Sequence, residues 1–314
     1  MNTQGKKKRS GAQKRKKKKE KEELAAEMER LKLGPTELWT GLVLHHKDVF
    51  VSHVLSKLNR TDRFFFSEVN SESEKVLAYA GVDVSGLGWG ACECSSISTL
   101  EWASNHMPWG EICEDGTVVR DQAWFCSQVA STNKLELLKW AREVKQCEWD
   151  EWSITVAADV GNLEMLKYCF SNGCPCDEEA SCKQAAIGGN LDCVRFLFAK
   201  VEPSRETEKE VALQAVGLGH LDIVKYIVEE RKIRDDLKLD CAATAALHGK
   251  LDCIKYLFGE EAKVPLNDLR YVACARYKEH TDCLYYLLEK GSPEPTDEEY
   301  ARFVEEDQEL FGGA

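Results

Sequence analysis

A short phrase recurs six times in the second half of this chain, at intervals of 28 or 30 residues, with copies beginning at Leu135, Leu163, Leu191, Leu221, Leu251 and Thr281. The clearest copy reads Gly161-Asn162-Leu163-Glu164-Met165-Leu166-Lys167-Tyr168-Cys169-Phe170. A unit of this size cannot bury its own apolar face, so neighbouring units must stack into one continuous core. Such a chain presents an extended surface before it presents a pocket.

The residue types that each column accepts give its task. The second position is always acidic (Glu136, Glu164, Asp192, Asp222, Asp252, Asp282), as suits the positive end of a helix dipole. Three residues on stands a base, Lys139, Lys167, Arg195, Lys225 or Lys255, placed to pair with that acid along the helix; the last copy has Tyr285 instead. Leu138, Leu166, Val194, Val224, Ile254 and Leu284 form an apolar column, followed two positions later by the aromatics Trp140, Tyr168, Phe196, Tyr226, Tyr256 and Tyr286. Together they predict one broad buried stripe.

Upstream of each phrase lies a second helical segment ending in small residues, Ala157-Ala158, Ala185-Ala186, Ala215, Ala245-Ala246 and Ala275, which let helices approach closely. Gly161, Gly189, Gly219 or Gly249 separates the two segments, where a left-handed backbone costs least. The unit is helix, tight turn, helix. With the pattern A-A-x-x-G-N-L-E-M-L-K-Y at Ala157 to Tyr168 and its copy at Ala185 to Phe196, the region from Gln122 to Lys290 resembles the ankyrin repeat. The resemblance implies an all-α solenoid that binds a protein partner. The first helices depart from the family's T-P-L-H start, with Trp152-Ser153-Ile154-Thr155 in one copy and Asp240-Cys241-Ala242-Ala243 in another. The interval is also shorter than the usual ~33 residues. The loss falls on the hairpin-like loop between repeats, which leaves recognition mainly to the first helices. A degenerate unit is expected at Ile97 to Trp109, where Leu100-Glu101-Trp102-Ala103 echoes Leu138-Lys139-Trp140-Ala141 at a 38-residue offset.

Among the chain's 14 cysteines, Cys193, Cys253 and Cys283 share a repeat column with Leu137, Met165 and Ile223, and so read as small core hydrophobes in a reducing compartment. The pairs Cys92-Glu93-Cys94 and Cys174-Pro175-Cys176 have a single intervening residue, a poor fit to structural zinc, and His220 and His280 belong to the turn column that Asn162, Asn190 and Lys250 also fill. No metal or other cofactor is expected. No apolar run is long enough for a membrane span, and the basic N-terminus lacks the apolar stretch of a secretory signal.

The first 21 residues hold eleven Lys or Arg and one acid, while the whole chain has a net charge of −12. Lys6, Lys7, Lys8 and Arg9, then Lys14, Arg15, Lys16, Lys17, Lys18 and Lys19, have no apolar residues to fold around, so residues 1–21 are expected to be a disordered basic tail. Each cluster resembles a nuclear import signal, which implies an import receptor as partner; the location is expected to be nuclear or cytoplasmic. A solubilising tail and nonspecific phosphate binding remain open alternatives. The acidic body argues against extended nucleic-acid contact beyond this tail.

Residues 22–81 read as a helical module. Leu24, Met28 and Leu31 mark an amphipathic helix ended by Gly34-Pro35, and Thr36 caps a helix carrying Leu38, Trp39 and Leu42. Asp48 is placed to cap Val49 to Lys57, and Thr61 to cap Asp62 to Val69; a last helix runs from about Glu72 to Ala80. Val51, Val54, Leu55, Leu58, Phe65 and Val69 are expected to face inward. In the order Val49-Phe50, Val54-Leu55, Leu58 and Asp62, this segment resembles an F-box, which implies docking to a Skp1-like adaptor of a ubiquitin ligase while the repeats hold the substrate. Its other reading is a helical cap over the open end of the solenoid.

Residues 82–120 read as linker plus degenerate repeat with a turn at Glu114-Asp115-Gly116, residues 121–292 as the repeat domain, and residues 293–314 as an acidic helix starting at Thr296 and a tail. The glycines near Gly86 are not followed by the Lys-Ser or Lys-Thr of a phosphate loop, no Gly-x-Ser-x-Gly elbow occurs, and the acids are explained by helix starts. An enzyme is not expected. A protein-binding scaffold is, with Gln128, Gln184, Gln214 and Thr244 on the first helices and Asp159, Leu247, His248 and Tyr277 near the turns as its contact residues, varying while the core columns hold to type.

Overall fold

The computed structural model describes residues 39–83, 89–112 and 118–311. The basic clusters at 6–9 and 14–19 and the helix expected over Leu24 to Leu31 lie outside these residues. The chain divides into two units, residues 1–93 and 94–314.

In the first unit a π-helical segment, Trp39–His45, leads into α1 (Lys47–His53), a 3-10 turn (Leu55–Lys57), α2 (Arg60–Ser67), α3 (Ser71–Tyr79) and a final 3-10 turn (Ala91–Glu93). Asparagines supply the caps: Asn59 accepts from Asp62 N at 2.7 Å, and Asn70 accepts from Ser73 N at 3.0 Å. This corrects two expected caps. Asp48 lies inside the first turn of α1 and accepts a hydrogen bond from the Tyr79 hydroxyl. Thr61 is buried inside α2, donating to Glu93 Oε2 at 2.7 Å and accepting from Gly90 N at 3.0 Å. The core consists of Val43, Phe50, Leu55, Val76 and Leu77, with Val51, Leu58 and Phe66 packed around it. Val54 and Val69, expected inside, are exposed. The helix breaks at Val54 and re-enters as a 3-10 turn, which rotates Leu55 rather than Val54 inward.

The second unit is an all-α solenoid. It begins with α4 (Ile97–His106), capped by Ser96, and a two-residue antiparallel pair, β1 (Glu111–Ile112) with β2 (Val118–Val119). First helices then alternate with second helices: α5 (Gln122–Ala130) and α6 (Leu135–Lys139), α7 (Glu151–Asp159) and α8 (Leu163–Ser171), α9 (Glu178–Ile187) and α10 (Leu191–Val201). The series continues through α11 (Arg205–Leu218) and α12 (Leu221–Lys225), α13 (Asp235–Leu247) and α14 (Leu251–Leu257), α15 (Arg270–Tyr277) and α16 (Thr281–Glu289). The chain ends in α17 (Asp297–Phe311). Helices α6 and α12 run on as π-helical turns, Trp140–Val144 and Tyr226–Arg231. First helices stack on first helices from α5 through α17, and α4 packs against α6 as a second helix does. The strand pair between α4 and α5 accounts for the long offset of that degenerate copy.

Leu137, Leu166, Val194, Ile254 and the alanine pairs are buried between the layers, and Cys193, Cys253 and Cys283 lie with them. Every first helix closes in the same way, on a residue with a left-handed backbone: glycine in four copies, but Asn133 (φ 59°) in the first and Glu279 (φ 58°) in the last. The next amide then reaches back to the small-residue column, as in Asn190 N to Ala185 O at 2.9 Å and His220 N to Ala215 O at 2.8 Å. The side chain of that next residue extends to the preceding repeat. Asn190 Nδ2 donates to Asp159 O at 2.6 Å, His220 Nε2 to Ile187 O at 3.0 Å, and His280 Nε2 to Leu247 O at 3.1 Å. The histidines of the turn column are therefore latches between repeats, each satisfying a carbonyl that its neighbour's helix end leaves unpaired.

The basic column behaves differently from expectation. Lys167 pairs with Glu164 at 2.8 Å, but Arg195 turns to Glu230 of the following repeat. Lys139 lies 5.3 Å over the Tyr168 ring, Arg195 4.4 Å over Tyr226 and Lys225 5.5 Å over Tyr256, so these three bases stack on the next copy's aromatic. The tyrosine hydroxyls complete the ladder, Tyr168 donating to Glu143 at 3.0 Å and Tyr256 to Glu229 at 2.9 Å. At the C-terminus Thr296 and Glu299 form a reciprocal cap on α17, with Thr296 N to Glu299 Oε2 at 2.8 Å and Glu299 N to Thr296 Oγ1 at 3.2 Å.

Candidate protein-binding face

The turn chemistry fixes which side chains the first-helix layer presents. Because each first helix ends on the same left-handed residue, positions counted back from it superimpose from repeat to repeat. Gln128, Gln184, Gln214 and Thr244 stand five residues before that turn. Asp159, Leu247 and Tyr277 stand two before it, and His248 one before. The structure thus brings all eight expected contact residues onto one layer, with Asp159, Gln214 and His248 exposed and the others half-buried. Tyr277 also meets Phe303 of α17 edge-to-face at 6.4 Å, and Arg276 lies 4.3 Å over Tyr300, so the terminal helix closes this end of the layer.

Three apolar side chains were missed. Trp152 is 60% exposed, Leu218 45% and Ile187 36%. Ile187 occupies the column of Asp159 and Leu218 the column of His248, so register alone identifies them. Trp152 falls in the first turn of α7, ahead of the alanine pair, where the core stripe does not reach. The face is less polar than the glutamines suggest.

His248 sits between cations. Burial, followed by Lys250, His280 and Lys278, holds its imidazole below the ordinary range, so the neutral ring is favoured on the surface. A cleft of about 280 Å³ between the starts of α11 and α13 is lined by Arg205, Glu208, Lys209, Lys232, Arg234 and Asp236 among others. Four bases and four acids line it, and Arg234 pairs with Asp236 at 2.6 Å, which leaves no field of one sign for a small ligand.

The closely spaced cysteines diverge. Cys174 Sγ donates to Asp150 O at 3.2 Å while Cys176 faces Ser181 Oγ at 3.7 Å, and Cys92 is exposed where Cys94 is buried. Among the described residues no three His, Cys, Asp or Glu side chains are grouped to hold a metal ion, and no helix is long and apolar enough to cross a membrane.

No curated protein matches the chain. A family model does, and it spans less than the Gln122 to Lys290 that carries the repeat pattern. The outermost copies replace the turn glycine with Asn133 and Glu279, while the copy at Glu151–Ser171 keeps Gly161. Ankyrin repeats are in general protein-interaction modules, and residues 183–268 match the family model described as ankyrin repeats, in three copies.

Proposed function

We propose that this chain is a non-enzymatic scaffold that captures a protein partner on its first-helix layer. The carrying observation is the contrast within one register: alanines and branched residues recur in the buried columns, whereas the outward column two residues before the turn runs through Asp159, Ile187, Leu247 and Tyr277 without repeating a type. A surface that varies on a constant frame suits selective recognition. Ile187, Leu218 and Trp152 supply the apolar anchors, with the glutamines and Thr244 as the hydrogen-bonding surround. The test is affinity capture with full-length protein and with the double variant Ile187→Glu, Leu218→Glu. A partner recovered by the parent and lost by the variant, at unchanged unfolding midpoint, supports the reading; capture unaffected by both substitutions overturns it.

A second reading rests on the first unit, where Val49 on α1, Val54 at the break after it and Val69 in the turn after α2 are exposed. Those side chains fit an F-box-like unit that recruits a Skp1-like adaptor while the repeats hold a substrate. Because Val54 is outside the core, Val54→Glu tests docking without unfolding the unit. Adaptor co-purification abolished by that substitution is the expected result, and no adaptor with the parent chain refutes it. The basic clusters fit recognition by an import receptor, which predicts that alanine replacement of the five lysines and Arg15 at 14–19 abolishes nuclear accumulation of a fusion. Contact of the tail with nucleic acid instead would show as binding that weakens steeply with salt.

A further inference from the structure

Two adjacent repeats open in the same way. Asp121 accepts from Trp124 N at 2.7 Å at the head of α5, and Asp150 accepts from Trp152 N at 3.1 Å at the head of α7. Trp124 and Trp152 both stand nine residues before the left-handed turn residue, so the two indoles occupy one column on neighbouring helices. Trp124 is half-buried and Trp152 is 60% exposed; the next repeat has Ala180 at that position, too short to cover an indole. Tryptophan is among the side chains richest in binding hot spots. The ground around these rings is acidic. Glu148 and Glu151 are exposed, and Glu148 N donates to Gln122 Oε1 at 3.0 Å, which ties the loop ahead of α7 to the head of α5. Among the described residues none of Asp121, Glu148, Asp150 and Glu151 has an ion pair. The bases nearby are already taken: Arg142 donates to the Cys147 carbonyl and lies 4.1 Å over the Trp149 ring, Lys183 pairs with Glu179 at 2.6 Å, and Arg120 is itself engaged. The Asp150 carboxyl is pushed up by burial and further by Glu151 and Asp121, as carboxylates sharing one field should be.

Given the scaffold reading, on which this rests, we propose that the patch of Trp152, Trp124 and the carboxylates beside them takes an arginine-bearing segment of the protein partner. Charge complementarity sets the sign of the ligand: an acidic or phosphate-bearing segment would meet four carboxylates with no free base among them. Geometry sets the choice of base. A guanidinium lies flat on an indole while its planar fork of N–H groups meets a carboxylate, whereas an ammonium is a point charge that does not stack. The chain makes the first of these contacts within itself, where Arg142 covers Trp149. Trp152 with Glu148 and Glu151 is the more open station, and Trp124 with Asp121 is the second. Packed helix axes stand ~10 Å apart and an extended strand advances ~3.3 Å per residue, so a segment crossing both columns presents arginines about three residues apart.

The experiment measures, by fluorescence polarisation, binding to the full-length protein of a labelled peptide made of four Arg-Gly-Ser units, with four Lys-Gly-Ser units as the control of equal charge. The arginine peptide should bind about threefold more tightly. Trp152→Ala should weaken it about fivefold and erase the difference between the two peptides, and Trp152→Phe, which keeps a weaker ring face, should fall between. Glu148→Lys with Glu151→Lys should weaken both peptides about tenfold, whereas the same charge change at two second-helix starts, Asp252→Lys with Asp282→Lys, should leave them within about twofold. No binding of the arginine peptide, equal binding of the two peptides to the parent, or equal losses from the two charge-reversed pairs overturns the assignment; the last two would show only general attraction to an acidic surface. Any of these results leaves the loss of partner capture in Ile187→Glu, Leu218→Glu standing, so the patch and the scaffold reading fail separately.

Discussion

Gly81 and Gly189 hold nearly the same left-handed backbone, φ +73° and +71°, and each ends a helix, one in the small unit and one in the repeat stack. Around Gly81 there is open space, whereas a Cβ on Gly189 would lie 2.6 Å from His220 Cε1 of the next repeat. The two units therefore build their turns by different means. In the small unit a turn is a local matter of backbone preference and an asparagine cap. In the stack the turn is also a socket for the neighbour's side chain, so local geometry and inter-repeat contact are one feature.

The bluntest way to probe this difference is through the cores. Leu166→Ala in the stack and Leu77→Ala in the small unit each remove a fully buried side chain, and each should cost about 2–5 kcal/mol. Denaturant unfolding followed by hydrogen exchange should show each substitution lowering protection in its own unit; a loss spread equally over both would erase the distinction. The glycines sharpen it. Gly81→Ala should cost only the left-handed penalty of about 1–2 kcal/mol, and Gly189→Ala about 1 kcal/mol more because the His220 latch is displaced as well. Equal costs would mean that the socket contributes nothing. Next come the asparagines. Asn70→Ala should remove about 1 kcal/mol of capping, while Asn190, which donates to Ala158 O at 3.0 Å and to Asp159 O, should cost a similar amount but should also expose the α7 end to exchange. The smallest effect is a titration. The folded pKa of His248 lies below its unfolded value of 6.5, so the unfolded chain binds more protons at mildly acidic pH. Its contribution is fully present above about pH 6.5 and is lost as pH falls through the folded pKa. His248→Gln should flatten that limb of the stability profile, and an unchanged slope would contradict the environment described.

How much was legible in the sequence follows the same division. In the stack, six copies average out accident, so the alanine pairs, the glycine turns, the core cysteines and the placement of Gln184 or Thr244 on a first helix could be read from columns. What escaped was anything that depends on the next repeat. Lys139 and Arg195 looked like partners for acids on their own helices and instead lie over the rings of the following copy. In the small unit each helix is seven to nine residues long and occurs once, which leaves too few turns to define an inward face. Val54 and Leu55 are equally apolar, and only the break into a 3-10 turn decides between them. Asn59 and Asn70 were readable caps, each two or three residues ahead of an acid, but Thr61 stood close enough to Asn59 to take its place in the reading.

The latches give the stack a direction. Asn190, His220 and His280 all reach toward the N-terminus, so each repeat is held down by the one that follows it, as a slate is held by the course laid over it. Removing a repeat from the C-terminal side uncovers carbonyls at the end of its predecessor's first helix; removal from the N-terminal side leaves a side chain free to turn to water. Loosening of this chain should therefore travel more readily from its end toward its beginning than the other way.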